Sequence, residues 1–369
     1  MIGSVANRNL NSQGGSSRVC LNVIQVMKER GYSVKVLTRT PIDWNSLSLW
    51  HGMAVRSDKD ISLEPIRFPF LGKYEKLLSM LRVKMNQTDL FFNTSADFFP
   101  FLYVPHVKNI SYCHFPVVRP IRSDSIPKKY KRGFWRLYFE PYRILLNRVI
   151  EQATKNSLFL TNSEFSRRAI LTHFGIQAKV IYPPVNVDKF QVNEGYQERR
   201  SIVVTISRFN PSKGLDMILD VLALLPDNIK WIIIGSANVD GMDYLRRLQN
   251  SSMSKGLANR LVLRPNASED ELKKTICSAR VYFHPTRGEH FGISIVEAMA
   301  AGLIPVVWNF GGCTEFVPKE LQFSNVEDAA KKVLAAMSIS VSTGERENMK
   351  RIASSFSSNR FKKEIESIL

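Results

Sequence analysis

A chain of 369 residues is long enough for two domains at roughly 150 residues each, and 44% of it is apolar against 23% charged. That composition fills two cores and excludes a disordered chain, a collagen-like repeat and a disulfide-stapled miniprotein. The net charge is +18, from 51 Lys and Arg against 33 Asp and Glu.

The charge is uneven: residues 1–180 hold 27 basic and 12 acidic side chains, residues 181–369 hold 24 and 21. Such an excess in one half points to a polyanionic partner for that half. Cys20, Cys113, Cys277 and Cys313 form no CxxC pair, which suggests neither a zinc site nor a disulfide framework and fits a reducing cytoplasm. The apolar runs at 96–105 and 231–235 are core-sized, well under the roughly 18 residues a membrane span needs. The first residues lack the basic-then-apolar order of a secretory leader. The expectation is a soluble chain, or one held at a membrane surface.

In chain order, short β-like runs alternate with helical ones, the signature of α/β units on parallel sheets. Gly14 and Gly15 precede a first helix at 19–30, whose Val19, Val23, Val26 and Met27 share one face; two glycines there let the backbone come close to a bound phosphate. Gly31 is placed to end that helix, and 33–38 reads as a strand. Asp58-Lys59-Asp60 forms a DxD in a polar stretch and reads as solvated loop. A strand at 109–113 leads into His114, placed at a strand's carboxyl end to meet a sugar hydroxyl, carry a proton, or sit as a satisfied core histidine.

Between Arg119 and Arg148 nine bases meet two acids, Asp124 and Glu140. Lys128, Lys129, Lys131, Arg132 and Arg136 interleave with Trp135 and other aromatics. Basic residues with interfacial aromatics suit an anionic membrane surface; stacking on nucleic acid is a second reading. In a third, the segment is a solvated helix whose Phe134, Leu137, Tyr138 and Leu145 turn into the core.

A strand at 158–161 precedes a helix opening near Ser163. Tyr182-Pro183-Pro184 breaks the pattern, 186–200 reads as a polar linker, and a domain boundary is expected near 184. A second series follows, with strands at 202–207, 230–235, 260–263, 281–284 and 304–308. Arg208 and Lys213 lie just past the first of these, where ligands of doubly wound folds bind, and suit a diphosphate; each taken singly also reads as surface charge.

The segment 281–308 reads strand, loop, helix, glycine stop, strand. The helix starting near Gly292 offers free N–H groups for a phosphate. Glu289 before it and Glu297 within it would accept from hydroxyls flanking that phosphate, as in a nucleotide sugar; otherwise Glu289 is a solvated loop residue and Glu297 a helix-start charge. His284 and His290 have no third ligand at metal-like spacing, so no metal is assigned. Phe361, Ile365 and Leu369 fall on one face of a last helix.

GGSSRVCLNVIQVMKERGYSVKVLT at 14–38, TNSEFSRRAI at 161–170, VIYPPVNVDKF at 180–190, SRFNPSKGLD at 207–216 and above all GEHFGISIVEAMAAG at 288–302 together resemble the retaining glycosyltransferases of the GT-B fold, family 4. The HFGI wording and the His114 segment are similar to mannosyltransferases that extend lipid-linked oligosaccharides. The resemblance implies two Rossmann-like α/β domains with parallel sheets facing an interdomain cleft: an acceptor domain at 1–183, a nucleotide-sugar domain at 184–355, and a helix at 356–369 returning to the first.

It further implies Glu297 on the ribose hydroxyls, Glu289 on the donor sugar, and Arg208 and Lys213 on the diphosphate. Gly14 and Gly15 would approach that diphosphate, the Phe291-Gly292-Ile293 backbone would meet sugar and phosphate, and His114 would lie near the reacting carbon. The expected reaction moves a hexose, mannose from GDP-mannose, to a glycan or polyprenyl-diphosphate-linked glycan at the cytoplasmic membrane face, with no metal, cofactor or nucleic acid. A UDP-glucose or UDP-GlcNAc donor on the same fold is the alternative, as is a non-catalytic glycan- or lipid-binding homologue. One departure is MIGSVANRNL, short and polar where the family has a longer apolar first strand.

Overall fold

The computed structural model describes residues 1–62, 74, 83, 87–95, 102–122, 126–190, 201–340 and 343–369. Residues 96–101 of the expected apolar run, Asp124, and 191–200 of the expected linker lie outside these. The chain forms two compact units, one of Met1–Pro184 with Phe361–Leu369 and one of Val185–Arg360.

The first unit holds seven strands: β1 (Ile2–Ala6), β2 (Ser33–Thr38), β3 (Lys59–Ser62), β4 (Leu90–Asn93), β5 (Lys108–Cys113), β6 (Leu158–Thr161) and β7 (Lys179–Val180). All pair in parallel, in the order β3-β2-β1-β4-β5-β6-β7. Its helices among the described residues are α1 (Gly15–Glu29), α2 (Trp44–His51), α3 (Gly133–Asn156) and α4 (Glu164–Phe174).

The polar-looking start of the chain is therefore an interior strand, paired on both sides, with Val5 and Ala6 fully buried. Gly3 leaves room for a side chain of α1: a Cβ there would lie 2.1 Å from Met27 Cε, so a larger residue would make the end of that methionine shift. The four apolar positions expected of the first helix are all buried, but the helix starts at Gly15, a turn earlier than the periodicity predicts.

The DxD is exposed, as expected of a solvated stretch, but Lys59 and Asp60 belong to the edge strand β3 rather than to a loop. Asp58 accepts from Lys28 Nζ at 2.5 Å and from the Val34 N–H at 2.7 Å. Asp60, inside β3, accepts from Trp44 Nε1 at 3.0 Å. Both acids serve to pin the edge of this sheet. From the last helix, Phe361 and Ile365 are fully buried in the same core as α1 and β1.

The second unit holds β8 (Ile202–Ile206), β9 (Lys230–Gly235), β10 (Leu261–Pro265), β11 (Val281–His284), β12 (Ile304–Trp308) and β13 (Gln322–Phe323), again all parallel, ordered β10-β9-β8-β11-β12-β13. Its helices are α5 (Met217–Ala223), α6 (Val239–Ser254), α7 (Glu269–Ser278), α8 (Ile293–Ala300), α9 (Val326–Ile339), α10 (Thr343–Ser354) and α11 (Ser358–Glu366), the last continuing into the first unit's portion of the chain. Trp231 is fully buried and donates to Thr205 Oγ1 at 3.1 Å, so its one polar atom is satisfied. Instead of continuing the expected linker, residues 188–190 form a short 3-10 turn that buries Phe190.

In each sheet the chain winds outward from one strand and then reverses, between β1 and β4 in the first unit and between β8 and β11 in the second. Such a switch point leaves the loops at the strands' carboxyl ends splayed apart, and there doubly wound folds take their ligands.

Candidate functional site

The loops on either side of the second unit's switch are 207–214, after β8, and 285–292, after β11. They carry Arg208, Lys213, Glu289, Phe291 and Gly292, and α8 follows with Ile293 and Glu297. The loops touch one another: Thr286 Oγ1 donates to the Lys213 carbonyl at 3.2 Å. Lys213 sits in a 3-10 turn that Asn210 caps and Gly214 closes at φ +68°. From that turn Lys213 Nζ reaches Glu289 Oε2 at 3.2 Å. Arg208 is exposed on the loop behind it.

Glu289 is held from several sides. Its backbone bridges to Gly311, and the Gly312 N–H donates to the Glu289 carbonyl at 2.7 Å. Gly311 has φ +132°, and a Cβ there would lie 2.6 Å from that carbonyl oxygen, so only glycine fits. The side chain is 19% exposed. Oε1 accepts from the His290 N–H at 3.2 Å, and Oε2 accepts from His284 Nε2 at 3.3 Å as well as from Lys213. Burial alone would push this carboxyl up; the His284 hydrogen bond and the positive charge of Lys213 outweigh it and hold the group well below the usual carboxylate range. Glu289 is ionised at any physiological pH.

Behind Glu289, the buried Tyr282 hydroxyl lies 3.2 Å from His284 Nδ1 and 2.8 Å from Ser294 Oγ. Burial pushes this phenol well above its ordinary range, and the nearby charges of Glu289 and Glu297 add to the effect. Glu297 is itself buried, one turn into α8. That helix is capped by Gly292 at φ +98°; the Ile295 and Val296 N–H groups donate to the Gly292 carbonyl at 3.0 and 3.3 Å, which leaves those of Ile293 and Ser294 as the donors at the helix start. An ionised carboxylate, a lysine and a helix start thus converge within one rigid switch point. Such a set can bind a polyol at one end and a phosphate at the other. Sequence spacing pointed to Glu289, Lys213, Gly292 and Glu297 but not to Tyr282, Ser294 or the glycine pair at 311–312, and it weighed His284 only as a metal ligand. The pair directly after a strand was the available signal for Gly311.

In the first unit Gly14 caps α1 and Gly15 opens it, at the end of the loop that leaves β1. Gly14 has φ −81°, an ordinary extended value; what glycine provides here is an uncovered backbone. A hydrogen-bonded group unnoticed in the sequence holds this loop against β4. Asn7 Nδ2 donates to Thr94 Oγ1 at 3.1 Å and to Ser16 Oγ at 3.3 Å, and Ser16 Oγ donates to the Thr94 carbonyl at 3.4 Å. His114, buried at the end of β5, packs edge-on to Tyr112 with ring centroids 4.9 Å apart, and its carbonyl accepts from Ser166 Oγ at 2.8 Å.

The basic stretch forms a 3-10 turn at Lys128–Tyr130 and then α3. The core face of α3 is Phe139, Tyr142, Leu146, Val149, Ile150 and Ala153. Phe134 and Leu137 are instead 74% and 78% exposed, and Trp135, Ile144 and Leu145 are exposed too. The reading in which Phe134, Leu137 and Leu145 turn inward therefore does not hold: a second set at helical spacing, longer and further along, occupies the core. Lys128, Lys129, Lys131, Arg132 and Arg136 are exposed beside these apolar side chains, and Lys129 Nζ lies 4.1 Å from the Trp135 ring. Among the described residues no helix is long and apolar enough to cross a membrane.

Two family models match this chain, Glycosyltransferase Family 4 over residues 13–189 and Glycosyl transferases group 1 over residues 186–356. A relative in Dictyostelium discoideum, named GDP-Man:Man(3)GlcNAc(2)-PP-Dol alpha-1,2-mannosyltransferase, is 27% identical over 219 residues, which are 53% of this chain and 43% of the relative. Its namesake in Candida glabrata is 23% identical over 346 residues, 80% of this chain and 66% of the relative. This chain thus spans less than two thirds of the length of either. Among solved structures, Anabaena HepE in complex with UDP matches with a TM-score of 0.74 at 18% identity, over 100% of this chain and 99% of that one; at that identity the likeness speaks for the fold.

Proposed function

The chain belongs to family 4 of the GT-B glycosyltransferases, and from that premise we propose that it moves mannose from GDP-mannose to a lipid-linked glycan, keeping the anomeric configuration. One observation carries this reading: an ionised Glu289, paired with Lys213, stands directly before the open N-terminus of α8. Glu289 binds the hydroxyls of the sugar, Glu297 those of the ribose, and Lys213 with Arg208 the diphosphate between them. The Phe291-Gly292-Ile293 backbone meets sugar and phosphate. Within the first unit, the uncovered Gly14-Gly15 backbone is the candidate for a phosphate contact and His114 the candidate for a sugar contact.

In the reaction the bond from the anomeric carbon to phosphate oxygen loosens, and negative charge grows on the departing GDP. Lys213, Arg208 and the helix N-terminus act where that charge develops, which is where stabilisation lowers a barrier. The acceptor hydroxyl attacks the same face and gives its proton to a diphosphate oxygen. These groups supply the positive charge themselves, so the proposed step uses no divalent cation, and EDTA is expected to leave turnover intact; a strict Mg²⁺ requirement contradicts it.

The relatives' names support mannose and a dolichyl-diphosphate-linked acceptor, and the exposed bases and apolar side chains of α3 support a place on an anionic membrane surface at the cytoplasmic face. The donor is tested by thermal unfolding with GDP-mannose, UDP-glucose, UDP-GlcNAc and ADP-glucose. At about 100 times its Kd a specific ligand adds about 2.7 kcal/mol of stability. GDP-mannose is expected to raise the Tm; a rise with a UDP-sugar alone moves the donor assignment, and no rise with any of them favours a non-catalytic homologue.

A further inference from the structure

The hydrogen bonds on Glu289 are unequally shared between its two oxygens. Oε2 takes two donors, His284 Nε2 and Lys213 Nζ, and so has both lone pairs engaged. Oε1 takes the His290 N–H and keeps a second lone pair. A carboxylate only accepts, so the hydrogen of that His284 contact belongs to Nε2. The imidazole is itself fixed: it ends β11, its side chain is 4% exposed, and Nδ1 faces the Tyr282 hydroxyl, which also meets Ser294 at the start of α8. Lys213 is a long side chain on a surface turn; His284 is the rigid one of the two donors on Oε2.

We propose that His284 is a positioning residue for donor recognition: clamped between Tyr282 and Glu289, it occupies Oε2 and leaves Oε1 as the oxygen that accepts from the sugar. The proposal rests on the reading of Glu289 as the sugar-binding carboxylate and adds which of its atoms does the binding and what orients it. The chain Ser294–Tyr282–His284–Glu289 then ties the phosphate end of the donor site, at the α8 start, to its sugar end. Rotating the carboxylate would cost sugar binding while leaving the nucleotide's own contacts alone.

Calorimetric titration of GDP and of GDP-mannose into the full chain separates these. His284→Asn shortens the side chain so that its amide no longer reaches Glu289; His284→Gln keeps an N–H near the position of Nε2. With His284→Asn, GDP-mannose is expected to bind about tenfold more weakly and GDP within about twofold of wild type, while His284→Gln recovers GDP-mannose to within about threefold. Tyr282→Phe, which keeps the ring and removes the clamp on Nδ1, should give a smaller loss of the same kind and serves if His284→Asn does not fold. Unchanged GDP-mannose binding in His284→Asn overturns the proposal, as does an equal loss of GDP and GDP-mannose that glutamine fails to restore. Wild-type protein that binds no GDP-mannose overturns instead the donor assignment beneath it.

Discussion

Lys213 and Glu289 neutralise one another at 3.2 Å, yet both are partly open to solvent, so either is available to a ligand that outbids its partner. Lys213→Ala is therefore expected to lower turnover about 10²–10³-fold, the size typical of one lost stabilising contact at developing charge; steady-state kinetics within threefold of wild type would remove Lys213 from the mechanism. Glu289 also makes a pH prediction. Its carboxyl is held below its unfolded value of 4.5, so on acidification the unfolded chain binds the proton first. The stability this group contributes is present above about pH 4.5 and is lost as pH falls through the lower folded value. Urea unfolding between about pH 6 and pH 3 should show a shallower decline for Glu289→Gln than for wild type, and identical slopes would contradict the assigned environment.

At the scale of elements, the helix α3 presents Phe134, Trp135 and Leu137 beside five exposed bases. Basic side chains near an anionic leaflet contribute about 1 kcal/mol each. The protein is expected to pellet with vesicles rich in phosphatidylglycerol and much less with neutral ones, and Trp135→Ala with Phe134→Ala to weaken that binding without changing the Tm. Indifference to the anionic fraction would contradict a membrane role. A second element, the 310–312 turn, supports Glu289 from behind: Gly311→Ala forces a Cβ onto the Glu289 backbone at φ +132°. That strain typically costs about 1–3 kcal/mol, measurable as a lower Tm, and donor binding should fall with it; an unaltered Tm would contradict the close approach.

These two elements also mark the limits of the sequence. Helical spacing in 133–156 admits two apolar faces, and only packing decides that Phe139, Tyr142 and Leu146 win over Phe134, Leu137 and Leu145. β1 read only as a short, polar departure from the family's first strand, because Gly3 and Ser4 carry little apolar surface although β1 pairs on both sides. β3 escaped notice because its DxD acids are exposed in a polar stretch, and what makes the segment a strand is its pairing with the distant β2.

For the molecule as a whole, the alternation of runs was enough to predict two parallel α/β sheets, since buried parallel strands such as Trp231–Gly235 read as continuous apolar blocks. The sheet order, and with it the two switch points, depends on pairing between distant segments and was not legible. The same divide holds at the candidate site. Glu289, Gly292 and Glu297 stand in one contiguous motif and could be found by eye, whereas the Lys213 contact spans 76 residues, and the glycine opposite Glu289 belongs to the next strand's exit.

The most direct check is mannose transfer itself: labelled GDP-mannose, a polyprenyl-diphosphate-linked glycan acceptor, and product counted for wild type and Glu289→Ala side by side. Mannosylated product from the wild type, with at least about a hundredfold less from the variant, is the expected result. Product that forms equally well without the Glu289 carboxylate, or none from the intact protein with any nucleotide sugar, would contradict the account.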